Sequence, residues 1–395
     1  MPNIKDKTCI VGIGWTKFGS MKRPLPESQY TLACRAIMAA IDDAGLRPRD
    51  IDGIMRFSFD SNDPIRIADS LGLNLRFFGK TMYGGGGGCA CVAQAAAAVN
   101  AGLATHVVAF RALSQSQEVA FGHFASLFAE KFSERKGVPG PIGWAIPFGL
   151  MSPAQGAALT ASRHFHLYGT TSDHLANIAL AERRHANRNP DAFFYDRPMT
   201  RDDYMNSPMI STPLHLYDCC QESDGACAVI VTSTERAKDL KQQPVYIMAA
   251  AQAGMWYPNH ALILDKIPEI VQDETWQLAE ALYGMSGITP SDVDVAEIYD
   301  HFTIHVLCAL ESFGFCKRGE GGPFTEGGRL EWPDGDLPLN TSGGHLSEAY
   351  IHGLNLIVDG VRQLRGTAPA QVRDAEIVLC ASGNAVPTSG IILRR

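Results

Sequence analysis

The sequence has no long uninterrupted apolar run and no excess of basic residues. Its 395 residues include 34 Lys and Arg against 42 Asp and Glu, which gives a formal net charge of −8. A protein that binds nucleic acid along its surface needs basic residues to neutralise phosphates, so we expect no nucleic-acid partner. No apolar stretch is long enough to span a bilayer, and the first residues lack the apolar region of a signal peptide. We therefore expect a cytoplasmic protein that does not bind membranes.

Motifs of several common enzyme classes are also missing. The ten cysteines are scattered, and the groups around Cys219 and Cys308 lack the paired spacing of zinc ligands. The Gly-x-Ser-x-Gly motif of serine hydrolases does not occur. The five glycines at 84–88 are not followed by the Lys-Ser or Lys-Thr of a phosphate-binding loop. We therefore expect no metal and no separate cofactor in this chain, and we expect its cysteines to be reduced.

The chain contains an internal repeat. A helical run that ends near Ala44 is followed by Gly45, Pro48 and an Asp-aliphatic-Asp sequence, and residues 287–294 repeat this order. In each copy, glycine ends the helix, proline prevents it from resuming, and a strand follows. Both copies then continue with a glycine-containing loop, a helix and an apolar strand. This pattern predicts an α/β fold built from two similar halves with mostly parallel sheets.

The repeat divides the chain into three parts. We expect one half at residues 1–111 plus 216–240 and the other at residues 241–395. Between them, residues 112–215 form an insertion that is rich in aromatic residues, methionine and proline. Apolar loops of this kind often shape a ligand pocket above a scaffold. They can also pack against the sheet or a second subunit, and the sequence leaves both roles open.

Two segments carry side chains suited to proton transfer. Tyr299, Asp300 and His301 follow an apolar strand, and open α/β sheets place their sites at such strand ends. Further along, His345 and Tyr350 lie in a segment that contains a glycine turn. A tyrosine has an ordinary pKa of about 10, so a tyrosine that acts as a base needs neighbours that change its pKa. Taken singly, each residue could equally have a role in the core or in capping a helix.

The glycine run and one late cysteine are further candidates. Glycine is a poor helix former, so Gly85, Gly86 and Gly87 at the start of a helix need a physical reason. Their backbone N–H groups could approach a ligand oxygen, or they could allow tight helix packing. Cys380 ends an apolar strand, and a cysteine in that place is inert unless its pKa is lowered.

Longer motifs resemble those of the thiolase superfamily, and within it the sterol-carrier-protein-x and lipid-transfer-protein branch. The resemblance covers nearly the whole chain and is carried most specifically by residues 181–190, 223–228 and 340–353. It implies a duplicated thiolase fold with two similar βαβαβαββ halves in five layers, αβαβα. It also implies that the chain acts on an acyl-CoA thioester and forms a homodimer.

The catalytic positions differ from those of a thiolase. Where a thiolase carries its nucleophilic cysteine, this chain has Gly85, and Tyr350 replaces the catalytic histidine. The strand-end motif at 299–302 reads Tyr-Asp-His-Phe, where this branch commonly has His-Asp-Cys-Phe. These changes resemble the thiolase-like aldolases that cleave steroid side chains.

This resemblance implies a retro-aldol lyase that cleaves a β-hydroxyacyl-CoA without a cysteine nucleophile. The expected substrate is a 17-hydroxy steroid with a three-carbon CoA-thioester side chain, and the expected products are a 17-ketosteroid and propionyl-CoA. We expect Tyr299 or Tyr350 to act as the base, and Asp300 to orient His301 or Tyr350. Three further residues are expected to assist the tyrosines: His301, His345 and Cys380. Five glycines are expected to bind the thioester oxygen through backbone groups: Gly85, Gly86, Gly87, Gly344 and Gly383.

Two other functions are alternatives. Cys89 lies one helical turn beyond Gly85, so a local shift in the alignment would make the chain a 3-ketoacyl-CoA thiolase that uses Cys89 and Cys380. A catalytically inactive protein that binds acyl-CoA or scaffolds a partner is the third interpretation. The resemblance to the steroid-cleaving aldolases also implies a small partner protein with an OB-fold that resembles zinc-ribbon proteins, which would give a heterotetramer.

Overall fold

Strands and helices alternate along most of the chain. The computed structural model describes residues 4–81, 85–117, 146–254, 274–382 and 388–395. Its strands within these ranges are β1 (Thr8–Trp15), β2 (Gly19–Ser20), β3 (Gly53–Arg56), β4 (Phe77–Lys80), β5 (His106–Ser114), β6 (Met209–Ser211), β7 (Leu214–His215), β8 (Ser223–Ser233), β9 (Val245–Ala253), β10 (Val295–Ile298), β11 (Ile377–Ala381) and β12 (Thr388–Arg394). Its α-helices within these ranges are α1 (Gln29–Ala44), α2 (Pro64–Leu71), α3 (Gly87–Asn100), α4 (Pro153–Tyr168), α5 (Ser172–Ala186), α6 (Arg201–Met205), α7 (Thr234–Ala237), α8 (Thr275–Ser286), α9 (Thr303–Ser312), α10 (Gly321–Phe324) and α11 (Leu354–Arg365).

Both halves have the same strand order. In the first half, the order across the sheet is β4–β3–β5–β8–β1, and in the second half it is β10–β11–β12–β9. In the second half, an isolated parallel bridge between Leu339 and Ala296 of β10 takes the place that β4 has beside β3. The two halves meet where β1 and β9 pair antiparallel. The internal repeat expected from the sequence is therefore present in the strand connectivity, while the proposed domain boundaries stay a prediction.

The sheet is mixed, so the expectation of mostly parallel sheets is wrong. β3 pairs parallel with β4 and β5, and β10 pairs parallel with β11. In contrast, β8 runs antiparallel to β5 and β1, and β12 runs antiparallel to β11 and β9. The reason is clearest in the second half, because β11 ends at Ala381 and β12 begins at Thr388. This connection is too short for the crossover that a parallel pair requires.

The helices lie in three layers around the strands. α3 and α11 lie in the middle, because α3 contacts β5 and β12 while α11 contacts β8 and β11. α1 packs on the other face of β1 and β8, and α8 packs on the outer face of β9 and β12. α3 and α11 are buried over most of their surface, as expected for helices between two sheets. The arrangement has the five layers, αβαβα, expected from the sequence.

The turn that recurs in both halves has the predicted geometry. α1 ends at Gly45 (φ 72°) and α8 ends at Gly287 (φ 74°), both in the left-handed region that favours glycine. A short 3₁₀ turn that begins with proline follows each glycine, at Pro48–Asp50 and at Pro290–Asp292. The chain then enters β3 and β10, so the repeated turns set the direction of corresponding strands.

The described part of the predicted insertion is mostly helical. α4 and α5 pack against α9 in the second half, and α5 also contacts the single π-helical turn Gly344–Glu348. Side chains from the insertion therefore reach the segment that carries His345. Within the described ranges, no helix is long and apolar enough to cross a membrane.

Candidate active site

Segments from both halves converge at the carboxyl end of β10. Tyr299 and Asp300 follow this strand directly. The turn before α11 brings His345 and Tyr350 to the same place, where both rings pack against Tyr299. Gly85, which precedes α3, contributes a position from the first half. The strand end that the sequence singled out is therefore the meeting point of these residues.

Tyr299 and Tyr350 form the centre of this group. Their phenol oxygens lie 2.8 Å apart, within hydrogen-bonding distance, and their rings are nearly perpendicular, at 78°. Tyr299 is 2% exposed, whereas Tyr350 is partly exposed. A β-carbon added at Gly85 would lie 3.4 Å from the Tyr299 oxygen. Gly85, where the resemblance places the thiolase nucleophile, therefore faces the Tyr299 hydroxyl and offers no side chain there.

Both tyrosines are neutral phenols at neutral pH. Burial raises the pKa of Tyr299 well above its ordinary value, and the neighbouring Tyr350 raises it further. Burial and the nearby Cys220 also raise the pKa of Tyr350, but the hydrogen bond from Tyr299 and the positive charge of Arg111 oppose this rise. Of the two, Tyr350 is therefore the stronger acid, and either phenol can donate in the hydrogen bond between them.

His345 is held between a carboxylate and a backbone amide. Its Nε2 accepts from the N–H of Gly353 (3.1 Å), so the ring carries a proton on Nδ1. That Nδ1 lies 3.0 Å from Oδ1 of Asp300. The imidazole packs edge-on against Tyr299, with 4.5 Å between the ring centroids. His345 therefore packs against the Tyr299 ring with its Nε2 bonded to Gly353 and its Nδ1 beside the Asp300 carboxylate.

Asp300 is the ionised member of a pair of buried carboxyl groups. Burial and the charge of Asp300 raise the pKa of Glu182, on α5, well above its ordinary value. Burial also acts to raise the pKa of Asp300, but the adjacent His345 and the hydrogen bond from Glu182 lower it overall. Asp300 therefore lies beside His345, and the predicted orienting role towards His301 or Tyr350 stays a prediction.

His301 forms a second pair, with His305 on α9. Nε2 of His301 lies 2.8 Å from Nδ1 of His305, and the His301 ring lies edge-on to Tyr299 with 5.0 Å between centroids. Burial lowers the pKa of His305 to about 4. Burial, with the charge that His305 would carry, lowers the pKa of His301 well below its ordinary value. Both imidazoles are therefore neutral at neutral pH, and the structure places His301 directly beside Tyr299.

The two cysteines singled out by the sequence lie in the core. Cys89 is 1% exposed, and its thiol donates to the carbonyl of Cys380 (3.4 Å). Burial raises the pKa of Cys89 to about 12 and raises that of Cys380 well above its ordinary value. Cys380 packs against α11, since a β-carbon at Gly360 would lie 2.9 Å from its Sγ. Neither thiol has the lowered pKa that a nucleophile needs.

The glycines before and at the start of α3 differ in the space around them: Gly87 is tightly packed, whereas Gly85 has room for a side chain. A β-carbon at Gly87 would lie 2.6 Å from the ring of Phe57, so glycine there allows tight packing. Gly86 immediately precedes α3. At Gly85, the three atoms nearest to an added β-carbon all belong to Tyr299. A role of these backbone groups in binding the thioester oxygen stays a prediction.

Of the other two predicted glycines, Gly344 and Gly383, only Gly344 lies within the described residues. Gly344 has a φ of 59°, and a β-carbon there would collide with the carboxyl groups of Asp300 and Glu182. Its glycine therefore makes room for the paired carboxyls. Gly383 lies outside the described residues. Within the described ranges, no group of three or more metal-ligating side chains is arranged to hold an ion.

Sequence reasoning missed Glu182, Arg111 and His352. Arg111 lies within the apolar strand β5 and is 1% exposed, and Glu182 is fully buried on α5. His352 follows Tyr350 by two residues and packs against its ring. The signal that could have found Arg111 is a charged residue in an otherwise apolar strand, because a buried charge needs a partner.

Comparisons with known proteins agree with this geometry. A family model described as "Thiolase C-terminal domain-like" matches residues 259–393. A steroid side-chain-cleaving aldolase of Thermomonospora curvata is 45% identical over 395 residues, which cover 100% of this chain and 99% of that protein. A 17-hydroxy-3-oxo-4-pregnene-20-carboxyl-CoA lyase of Mycobacterium tuberculosis is 44% identical over 397 residues, which cover 99% of this chain and 100% of that protein.

A solved structure agrees at the level of the whole fold. The chain superposes on an Ltp2–ChsH2(DUF35) aldolase with a TM-score of 0.90 and 44% identity, covering 99% of this chain and 98% of that one. The predicted fold class and family are therefore confirmed. The chain belongs to the thiolase superfamily, in the branch of the steroid side-chain-cleaving aldolases.

Proposed function

We propose that this chain is a retro-aldol lyase that cleaves a β-hydroxyacyl-CoA thioester. The best candidate substrate is a 17-hydroxy steroid with a three-carbon CoA-thioester side chain, which would yield a 17-ketosteroid and propionyl-CoA. The observation that carries the proposal is the pair of phenols, 2.8 Å apart, beside the vacant side-chain position at Gly85. The steroid part rests on the names of two relatives that match the chain over its full length.

The reaction needs two proton movements and no covalent intermediate. The bond between the α- and β-carbons breaks, and its electron pair passes into the thioester enolate. The β-carbon hydroxyl loses its proton and becomes a ketone, while the α-carbon gains a proton. The reaction therefore consumes and releases no net proton, so two linked phenols can carry out both transfers.

The proposed relay runs from Tyr299 to Tyr350. Because burial raises the pKa of both residues, neither is a phenolate at rest. Tyr299 would therefore accept the hydroxyl proton while it donates its own proton to Tyr350, and in the same step Tyr350 would pass its proton on, so that neither oxygen carries two protons. Tyr350, the stronger acid of the pair, would donate to the α-carbon of the enolate. This assigns the base role to Tyr299 and the acid role to Tyr350.

The surroundings of the pair suit this relay. Asp300 and His345 hold the Tyr299 ring from one side without taking its proton. The N-terminal end of α3 lies next to Gly85, and its partial positive charge would favour the negative charge on an enolate oxygen. We propose that backbone N–H groups of Gly85 and Gly86 contribute to this stabilisation.

The buried thiols disfavour the thiolase alternative. A thiolase needs a thiolate that can reach the thioester, whereas burial raises the pKa of Cys89 to about 12. The position four residues earlier, where the resemblance places the nucleophile, is Gly85. The third interpretation, an inactive acyl-CoA-binding protein, predicts binding of the thioester without cleavage, and the experiment below separates it from the lyase.

We further propose a partner and a location. The related aldolase of known structure is an Ltp2–ChsH2(DUF35) protein, so we propose that this chain binds a small DUF35 partner with an OB-fold and itself forms a dimer. A cytoplasmic location fits the ten free cysteines, because disulfides are rare in that reducing compartment.

The experiment is a cleavage assay with and without the DUF35 partner. The purified chain receives the 17-hydroxy steroid CoA thioester, and mass spectrometry measures the ketone and propionyl-CoA. We expect Tyr299→Phe and Tyr350→Phe each to lower kcat by about a hundredfold or more, because each removes a proton-transfer group. Tyr195→Phe, which changes an exposed tyrosine, serves as the matched control and should leave kcat unchanged.

Each other outcome has a definite meaning. Full activity of both tyrosine variants would refute the relay. Tight binding of the thioester with no cleavage, even with the partner present, would support the inactive scaffold. An acyl group trapped on Cys89 would support the thiolase.

A further inference from the structure

A buried ion pair lies behind Tyr350. Arg111 is 1% exposed, and its Nη1 lies 3.2 Å from Oδ2 of Asp60, which is also buried. The same Asp60 oxygen accepts from the N–H of Ala112 (2.9 Å), and its other oxygen accepts from the N–H of Asn62 (3.0 Å). Burying two charges is costly unless both are paired and hydrogen-bonded. These bonds therefore fix the Arg111 guanidinium in one orientation.

The guanidinium determines the state of His352. Nε of Arg111 donates to Nδ1 of His352 (3.1 Å). Arginine has no acceptor, so Nδ1 of His352 must be unprotonated, and the proton of the ring is on Nε2. Burial and the charge of Arg111 both lower the pKa of His352 well below its ordinary value, which agrees with a neutral ring.

His352, held in place by Arg111, packs against the ring of Tyr350. The two rings have centroids 4.7 Å apart, and the other side of His352 packs on Phe57 at 4.5 Å. His352 also has a φ of 52°, a left-handed conformation that needs support from its surroundings. The next residue, Gly353, donates its N–H to His345. One anchored turn thus holds Tyr350 and His345 together.

We propose, as an extension of the proposed function, that Asp60, Arg111 and His352 are positioning residues that orient Tyr350 and stabilise the negative charge that develops on its oxygen. As Tyr350 gives its proton to the enolate carbon, partial negative charge develops on its oxygen until the proton from Tyr299 replaces the one lost, and the fixed positive charge of Arg111 favours this charge. Asp300 and Cys220 act in the opposite direction, since both raise the pKa of Tyr350. Asp60 keeps the guanidinium in place without contacting the tyrosine pair itself.

The test combines an Arg111 variant with a more acidic tyrosine. Arg111→Met should lower kcat by about tenfold or more, because the loss of a nearby charge shifts a pKa by about one unit or more. It should change KM by less than about threefold, because Arg111 is only 1% exposed and the proposal gives it no direct role in binding substrate. A fluorinated tyrosine incorporated at position 350, whose phenol is more acidic, should restore most of the lost kcat.

A control separates this role from general destabilisation. Arg365 forms another mostly buried pair, with Asp43 at 2.8 Å, away from the tyrosines. Arg365→Met should lower thermal stability. In this variant, the fluorinated tyrosine at position 350 should change kcat by the same factor as it does in the otherwise wild-type chain. If Arg111→Met fails to fold, Arg111→Lys replaces it, since Lys keeps the charge but lacks the Nε donor to His352. The kcat of Arg111→Lys should fall less than the kcat of Arg111→Met. The fluorinated tyrosine should therefore raise kcat by a smaller factor in Arg111→Lys.

Two results would overturn the inference. One is a kcat of Arg111→Met within about twofold of the wild type. The other is a reduced kcat that the fluorinated tyrosine does not restore in a folded variant. A measurement without turnover adds a third check: ¹⁵N-histidine NMR, assigned with His352→Gln, should show His352 neutral with its proton on Nε2 at neutral pH. The wild-type assay separates the proposed function from the positioning role. If the wild type does not cleave the thioester, the proposed function is wrong. If the wild type cleaves it and Arg111→Met is equally active, only the positioning role is wrong.

Discussion

The vacant position at Gly85 permits a sharp test of where the substrate hydroxyl docks. The added methyl of Gly85→Ala would lie 3.4 Å from the Tyr299 oxygen, an ordinary van der Waals distance, and Gly85 does not have a positive φ. The fold should therefore accept alanine, and stability should stay within about 1 kcal/mol of the wild type. A hydroxyl that donates to Tyr299 needs an oxygen about 2.7 Å from the same atom.

The methyl and the substrate hydroxyl therefore compete for the same side of the phenol. Displacing the hydroxyl by about 1 Å should lower kcat/KM by about a hundredfold. The matched control is Gly53→Ala at the start of β3, whose β-carbon would lie 2.8 Å from the side chain of Val107. This overpacking should cost about 1–3 kcal/mol of unfolding free energy.

The assay measures kcat/KM for thioester cleavage and the free energy of unfolding in urea for both variants. We expect Gly85→Ala to lose activity and keep its stability, and Gly53→Ala to lose stability and keep its activity. If Gly85→Ala cleaves the substrate as fast as the wild type, the hydroxyl does not dock at this face of Tyr299, and the proposed relay is wrong.

Two further predictions concern buried groups near the site. Glu182→Gln should keep both hydrogen bonds, because its amide can donate to Asp300 and its oxygen can accept from Asn340 as Oε1 of Glu182 does now (2.8 Å). In the wild type, Glu182 keeps its proton in the folded state, whereas in the unfolded state it loses that proton above a pKa of about 4.3. The free energy of unfolding should therefore fall by up to about 1.4 kcal/mol per pH unit as the pH rises above this value. Urea unfolding across this range should show a shallower fall in Glu182→Gln, and an unchanged slope would contradict the protonated state. Cys89→Ala should retain cleavage and lose about 1 kcal/mol of stability, because it removes only buried packing; loss of cleavage in a folded Cys89→Ala would instead support the thiolase.

The sequence predicted the features that depend on local turns and strand ends. The Gly45 and Gly287 turns revealed the repeat, because glycine and proline determine backbone conformation locally. The chemistry placed at 299–301 was predicted because side chains that follow a strand in an α/β sheet lie at one edge of that sheet. The mixed sheet was not predicted, since the direction of β12 depends on how short its connection to β11 is.

The charged partners could not be predicted for a different reason. Arg111 bonds to Asp60, 51 residues away, and to His352, 241 residues away. No periodicity or spacing rule connects such positions, because the fold alone brings them together. The same holds for Glu182, because its pKa is raised by burial in the fold and by the nearby Asp300 and not by its own sequence context. The fold class was therefore more accessible from the sequence than the electrostatics of the site.

The placement of Gly85 and Tyr299 on opposite halves of the duplicated sheet has a consequence for any experiment that cuts or loosens the chain. Neither half contains a complete set of groups, so an isolated half should be silent in a turnover assay even if it keeps its own strands. Turnover consequently reports on the docking of the two repeats against each other, and local unfolding at the contact between β1 and β9 should abolish it before the bulk of the secondary structure is lost.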